Sequence, residues 1–296
     1  MRKFIVGTDW WTDCDDVVAM RILARAHKRG EICVLGVGLN ACMEFSAASL
    51  DGFLLSEGVE DIPLGIDLAA DDFGRNPPYQ KRLASRAKRY LTNEAAEDAV
   101  RLYRRLMAAA DEKVEIIEIG YPQVLANVLK SGADDISSKT GRELFEEKVE
   151  KLWVMAGKWD EAEGRENNFA RNTRARRGAH ELCSLCQAPV TFLGWEIGYD
   201  VITGRGLNEE DPLRQALLDH GSPDGRCSWD PMLVAMALEG DEERAGYETV
   251  QGRAFVDAET GCNRFDRCEN GMHRYVVRKY DPAYYEAVIE PMIQSL

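Results

Sequence analysis

The chain has 296 residues, 45% of them apolar, which suffices for one large α/β domain or two ordinary ones with a sizeable core. Its 51 acidic against 37 basic residues give a formal charge of −14, which disfavours a nucleic-acid partner and suits a protein that binds metal. No run approaches the roughly 18 apolar residues of a membrane span, and MRKFIVGTDWW reaches charged residues too soon for a secretory signal, so a cytoplasmic protein without a membrane partner is expected.

In chain order, the apolar patterning predicts a buried strand over 3–7, an amphipathic helix over 16–29, a strand over 32–40, a helix over 46–57 and a strand over 62–66. A helix over 94–110 follows, then a strand over 113–120, a helix over 123–131, and strands over 151–157 and 189–195. Strands alternating with helices predict an open, mostly parallel, Rossmann-like α/β sheet flanked by helices. Residues 245–280, rich in Gly, Cys and Arg, read as a C-terminal hairpin region before a final helix over 282–296. No low-complexity linker or internal repeat divides the chain, so one domain is expected over 1–296.

Ligands of such sheets bind beyond the carboxyl ends of the strands. The first strand ends there in "DWWTDCDD", which places Asp9, Asp13, Asp15 and Asp16 within eight residues. Two like charges about 4 Å apart repel by roughly 4 kcal/mol at an effective dielectric near 20, so the cluster must stay solvated, hold protons or bind a cation. Helix capping explains one or two aspartates, not four. An EF-hand is excluded because glycine is missing at the sixth loop position and glutamate at the twelfth. No DxDxT phosphoryl-transfer motif and no GxxxxGK[ST] loop occurs. Cys183 and Cys186 form a lone CxxC without a second pair at zinc-ribbon spacing and read as structural, and the eight cysteines as mostly reduced and buried.

The aspartate stretch resembles the amino-terminal fingerprint of the inosine-uridine-preferring nucleoside hydrolases, DTDPGxDD, and more closely a divergent branch written DxGxDxDD. Asp9, Asp15 and Asp16 match both forms, and Asp13 matches the branch. Supporting segments follow in order: LGVGLN (35–40), GYPQVLANVLKSG (120–132), VMAG with ENNF (154–157 and 166–169), GWEIG (194–198) and SWDP (228–231). The resemblance implies calcium-dependent hydrolysis of the N-glycosidic bond of a ribonucleoside or related riboside, giving free base and ribose. Asp16 is then the cluster's main Ca2+ ligand, with Asp15, Asp13, Asp230 and a main-chain carbonyl from Gln123. Asn40, Glu166, Asn168 and Glu196 are the implied substrate-binding groups.

Two departures stand out. The family's usual base position is Trp11 here, so the catalytic set is Asp13, Asp9 and Asp15, with the base left open between Asp13 and Asp9. Trp229 replaces the histidine that precedes the late DP; it is suited to stacking on a nucleobase, and His273 is the distant candidate for the leaving-group acid. These substitutions motivate an alternative, a catalytically impaired nucleoside- or ribose-binding protein, and a different metal-dependent hydrolase such as a phosphatase is a third possibility. A homodimer or homotetramer is expected.

Overall fold

A computed structural model describes residues 1–294; the expected final helix runs there over Pro282–Ile293, and the part assigned to 295–296 lies outside the described residues. The strands are β1 (Lys3–Thr8), β2 (Cys33–Leu39), β3 (Leu64–Ile66), β4 (Glu97–Asp98), β5 (Val114–Glu118), β6 (Val149–Met155), β7 (Val190–Leu193), β8 (Ile202–Thr203), β9 (Arg226–Cys227), β10 (Tyr247–Val256), β11 (Asn263–Arg267) and β12 (His273–Arg278). Ten of them form one sheet in the order β11-β10-β12-β7-β6-β5-β1-β2-β3-β4, and β8 and β9 pair separately. Within the ten-stranded sheet pairing is parallel from β4 through β12 and antiparallel where β10 joins β12 and β11; β8 and β9 are also antiparallel.

Alternation along each strand sends side chains to two cores. On one face Phe4 and Val6 of β1, Ile117 of β5 and Trp153 of β6 meet the helices Asp15–Lys28, Trp229–Glu239 and Pro282–Ile293. On the other, Ile5, Ile116, Leu152 and Phe192 meet the helices Ala99–Ala109, Gln123–Lys130 and Thr173–Leu185. Burying each such side chain contributes about 1.5–3 kcal/mol, so the first and last thirds of the chain are held against one sheet face.

From β1 the chain moves outward through β2, β3 and β4, returns to β5 on the other side of β1, and continues to β6 and β7. The crevice between β1 and β5 is therefore the topological switch point, where loops diverge and a ligand fits.

Three sequence expectations change. The helix assigned to 94–110 breaks into a 3-10 turn (Asn93–Ala95), β4 and the helix Ala99–Ala109, because the Asp98 carboxylate caps the helix by accepting from the Arg101 N–H. The strand over 189–195 stops at Leu193, and Trp195–Gly198 forms a helical turn. The C-terminal hairpin region is more integrated than a hairpin: β10 and β11 form one, but β12 inserts between β10 and β7 and extends the main sheet. Cys183 and Cys186 are both buried, their thiols pushed up by burial, and no third metal-ligating side chain joins them among the described residues.

A buried acid cluster at the switch point

The loop after β1 is pinned before it reaches its last aspartate. Trp10 has a left-handed backbone (φ 51°), a conformation that costs a bulky residue about 1–2 kcal/mol. Its surroundings hold it there: the indole N–H donates to Ser49 Oγ at 2.7 Å, Gln80 Nε2 donates to the Trp10 carbonyl at 2.8 Å, and the ring packs on Phe53 and Tyr79. Trp10 is thus core, while Trp11 lines a cavity of about 280 Å³ beyond the carboxyl ends of the strands.

Asp15 and Asp16 occupy the first turn of the helix Asp15–Lys28, whose cap residue, Cys14, makes no side-chain cap bond. Capping therefore does not account for the acids. Thr8 Oγ1 donates to Asp16 Oδ1, and the Trp10 N–H reaches the same oxygen at 3.2 Å. Asp230 arrives in the first turn of the helix Trp229–Glu239, and its N–H donates to Asp15 Oδ2 at 3.1 Å. One carboxylate oxygen from each of Asp15, Asp16 and Asp230 lies within 4.8 Å of the others. Asp9 stands beside them with Oδ1 accepting the Trp11 N–H at 3.1 Å.

No lysine, arginine or histidine forms an ion pair with these four aspartates among the described residues. Burial first, and then mutual repulsion, drives Asp9, Asp15 and Asp230 well above the usual carboxylate range, and burial pushes Asp16 up to about 7. The two helix amino termini supply only partial positive charge.

Glu118, the last residue of β5, extends the cluster and was not anticipated. Its Oε1 accepts from Asn40 Nδ2 at 2.7 Å and the Gly120 N–H at 3.1 Å, its Oε2 is buried without a partner, and burial pushes it up to about 8. A Cβ on Gly7 would fall 2.2 Å from that carboxylate, and one on Gly120 would fall 2.3 Å from the Asp9 nitrogen, so both glycines permit the close approach of β1 and β5. A glutamate inside the apolar stretch IIEIG was the available signal.

The remaining predicted residues divide. Glu166 and Asn168 line the cavity: Glu166 accepts from the Asn168 N–H at 2.6 Å and the Gly157 N–H at 2.9 Å, and Asn168 Nδ2 donates to the Met155 carbonyl at 2.9 Å. Burial pushes Glu166 up to about 7. Trp229 also lines it, its indole N–H donating to the Trp195 carbonyl at 2.6 Å. Asn40 and Gln123 stand behind the cavity, with Asn40 Oδ1 accepting the Tyr121 N–H at 2.9 Å and Gln123 Nε2 donating to the Asn40 carbonyl at 2.5 Å. Glu196 accepts the Trp159 N–H at 3.2 Å and is not among the lining residues; burial pushes it up to about 7.

Asp13 lines the cavity but is held apart from the trio by Arg226, whose Nε donates to Oδ1 at 2.6 Å and whose Nη2 donates to Oδ2. Asp13 also groups with Cys14 and His220, a set in which burial raises the thiol and the arginine already occupies the carboxylate. His273 is not brought to the cavity. It pairs with Val190, the first residue of β7, whereas the cavity lies beyond Leu193 at the other end of that strand. There Nδ1 accepts the Ala254 N–H at 3.0 Å, and burial pushes the imidazole down to about 4.

No protein-family model and no curated protein matches the chain. Solved structures do. An inosine-uridine preferring nucleoside hydrolase from Bacillus anthracis superposes with a TM-score of 0.69 at 15% identity, covering 99% of both chains. The type III effector XopQ, complexed with adenosine diphosphate ribose, gives 0.63 at 16% identity over 98% of this chain and 93% of its own. The effector XOO4466 gives 0.65 at 13% identity over 99% and 94%. The chain has the fold these proteins share, and no helix among its described residues is long and apolar enough to cross a membrane.

Proposed function

We propose that this chain hydrolyses the N-ribosidic bond of a ribonucleoside or related riboside with the help of one calcium-like ion. The observation that carries this reading is the set of four buried aspartates without a basic partner beside a cavity at the switch point of a nucleoside-hydrolase fold. The complex of XopQ with adenosine diphosphate ribose supports a ribosyl ligand on this fold.

The donors fit a hard cation, since all are oxygens and three converge within 4.8 Å. Asp15, Asp16 and Asp230 would hold it, while Gln123, implied as a carbonyl ligand by the resemblance, opens the helix Gln123–Lys130 behind the cavity. When bound, the ion supplies charge neutralisation and Lewis acidity toward sugar hydroxyls and water. Asp9 takes the proton of the attacking water, because one of its oxygens is free of the Trp11 N–H, whereas both Asp13 oxygens are held by Arg226. Water oxygen bonds to the anomeric carbon as the bond to the base nitrogen breaks, and positive charge growing on the ring is stabilised by the surrounding carboxylates. Glu166 and Asn168 grip the sugar, and Trp229 with Trp195 offers an aromatic wall for the base. A cavity near the ~300 Å³ lower end for small-molecule sites suits one nucleoside.

A nucleoside panel assayed for free base, with and without chelator, tests this. Base release that stops with chelator and returns with calcium is expected; no release from any nucleoside in calcium-loaded protein overturns the activity. Ribose binding without base release would establish the binding-protein reading, which the capture of Asp13 by Arg226 favours.

A further inference from the structure

Arg226 is the only basic residue among those described that line the cavity, and nothing in the chemistry above uses it. It sits in β9 beside Trp229, with Cζ 5.7 Å from the indole centre. Asp13 grips the guanidinium through Nε and Nη2, and Asp13 is itself oriented by the Cys14 N–H at 2.8 Å. Nη1 and the second N–H of Nη2 have no hydrogen-bond partner among the described residues, on a side chain 31% exposed. Beside it, the Trp229 N–H is spent on the Trp195 carbonyl, and no histidine lines the cavity among the described residues. His220, beyond Asp13, turns its Nδ1 to Ser222 Oγ.

Resting on the proposed ribosidic-bond cleavage, we infer that Arg226 receives the departing group, and that this group presents two adjacent hydrogen-bond acceptors, as a 6-oxopurine does at O6 and N7. A guanidinium does not give up its proton, so it acts by charge stabilisation rather than as an acid. As the C1′–N9 bond breaks, its electron pair passes into the purine ring and is shared with N7 and O6, toward which the free N–H groups of Arg226 donate. The proton of the attacking water goes to Asp9, and the purine anion takes a proton from solvent after it leaves. The donor fork matches an acceptor pair, whereas adenine sets an amine donor beside N7 and opposes donor to donor. Asp13 is a positioning residue, which fixes the plane of the fork.

The test is titration of calcium-loaded protein, with ribose present, by hypoxanthine and by adenine, followed through tryptophan fluorescence. Hypoxanthine is expected to bind at least about 10-fold tighter. Arg226→Met abolishes the preference; Arg226→Lys, which retains a cation for Asp13 and hence the fold, restores little of it. Asp13→Asn lowers the preference while calcium affinity is kept, and His220→Gln changes neither. Equal binding of the two bases, binding of neither, or a preference that survives in both Arg226 variants overturns the inference. A preference without hydrolysis of any nucleoside would defeat the proposed activity and leave the base-binding role of Arg226 standing; hydrolysis without a preference would do the reverse.

Discussion

Asp51 and Asp16 are both buried aspartates on helices that follow strands of the same sheet, yet their surroundings drive them in opposite directions. Burial alone would raise Asp51, but the N–H groups of Arg89 and Lys88 and the Arg89 guanidinium outweigh it and hold the carboxyl below its usual range. Asp16 meets Thr8, one N–H and other aspartates, and is raised. The same contrast separates the whole cluster from other inner acids. Arg21, 1% exposed, joins Glu57 at 2.6 Å and Asp211 at 2.5 Å. The inner acids Asp51, Glu57 and Asp211 each meet an arginine, whereas Asp9, Asp15, Asp16 and Asp230 at the switch point form no ion pair among the described residues.

The largest expected effect is on catalysis. Asp9→Asn removes the proposed base without removing the trio, and is expected to slow base release by about 10²–10⁴-fold at unchanged KM, measured with saturating calcium. Next comes the structural arm of the comparison. Arg21→Met removes the buried cation that Glu57 and Asp211 share, leaving Glu57 its second partner Arg25, and is expected to lower stability in urea by about 3 kcal/mol.

One substitution type then sharpens the contrast through its sign. Asp51→Asn loses charge-assisted hydrogen bonds and destabilises by about 1.5–3 kcal/mol. Asp15→Asn removes a buried like charge, so the metal-free protein gains stability while calcium binding falls; a loss of stability in both variants would break the comparison.

The same contrast also sets a slope in pH. Asp16, raised to about 7, and Glu118, raised to about 8, bind protons more tightly folded than unfolded. Their contribution is complete below the ordinary values near 4 and is lost as pH rises through 7 and 8. Metal-free protein therefore melts progressively lower from about pH 4 to pH 8, and the stabilisation by added calcium grows over the same interval. A metal-free melting temperature flat across that range would contradict the raised values.

Much of this arrangement was legible in residue types and order. Strand periodicity located β1, β2, β5 and β6, and the acid-rich segment after β1, with Asp230 and Gln123 added by the family resemblance, put forward Asp13, Asp15, Asp16, Asp230 and Gln123, of which the fold gathers Asp15, Asp16 and Asp230. What stayed hidden depends on contacts between distant segments. Nothing in "DWWTDCDD" says that Asp13 turns to Arg226, 213 positions away, or that a parallel pairing of β12 with β7 carries His273 to the wrong end of the sheet. The helix expected over 94–110 failed locally, since Asp98 caps it where apolar periodicity continued backward. Glu118 was visible as a charge in an apolar strand, but its partner Asn40 comes from another strand end.

The most direct test of the central claim is calcium titration calorimetry at neutral pH in two buffers of different ionisation enthalpy, which reports ion and proton counts together. One ion is expected to bind with better than millimolar affinity and to displace protons from the raised carboxyls, so the apparent enthalpy changes with buffer. Absence of binding, or binding with the same heat in both buffers, would show that the four aspartates are not a proton-sharing cation site.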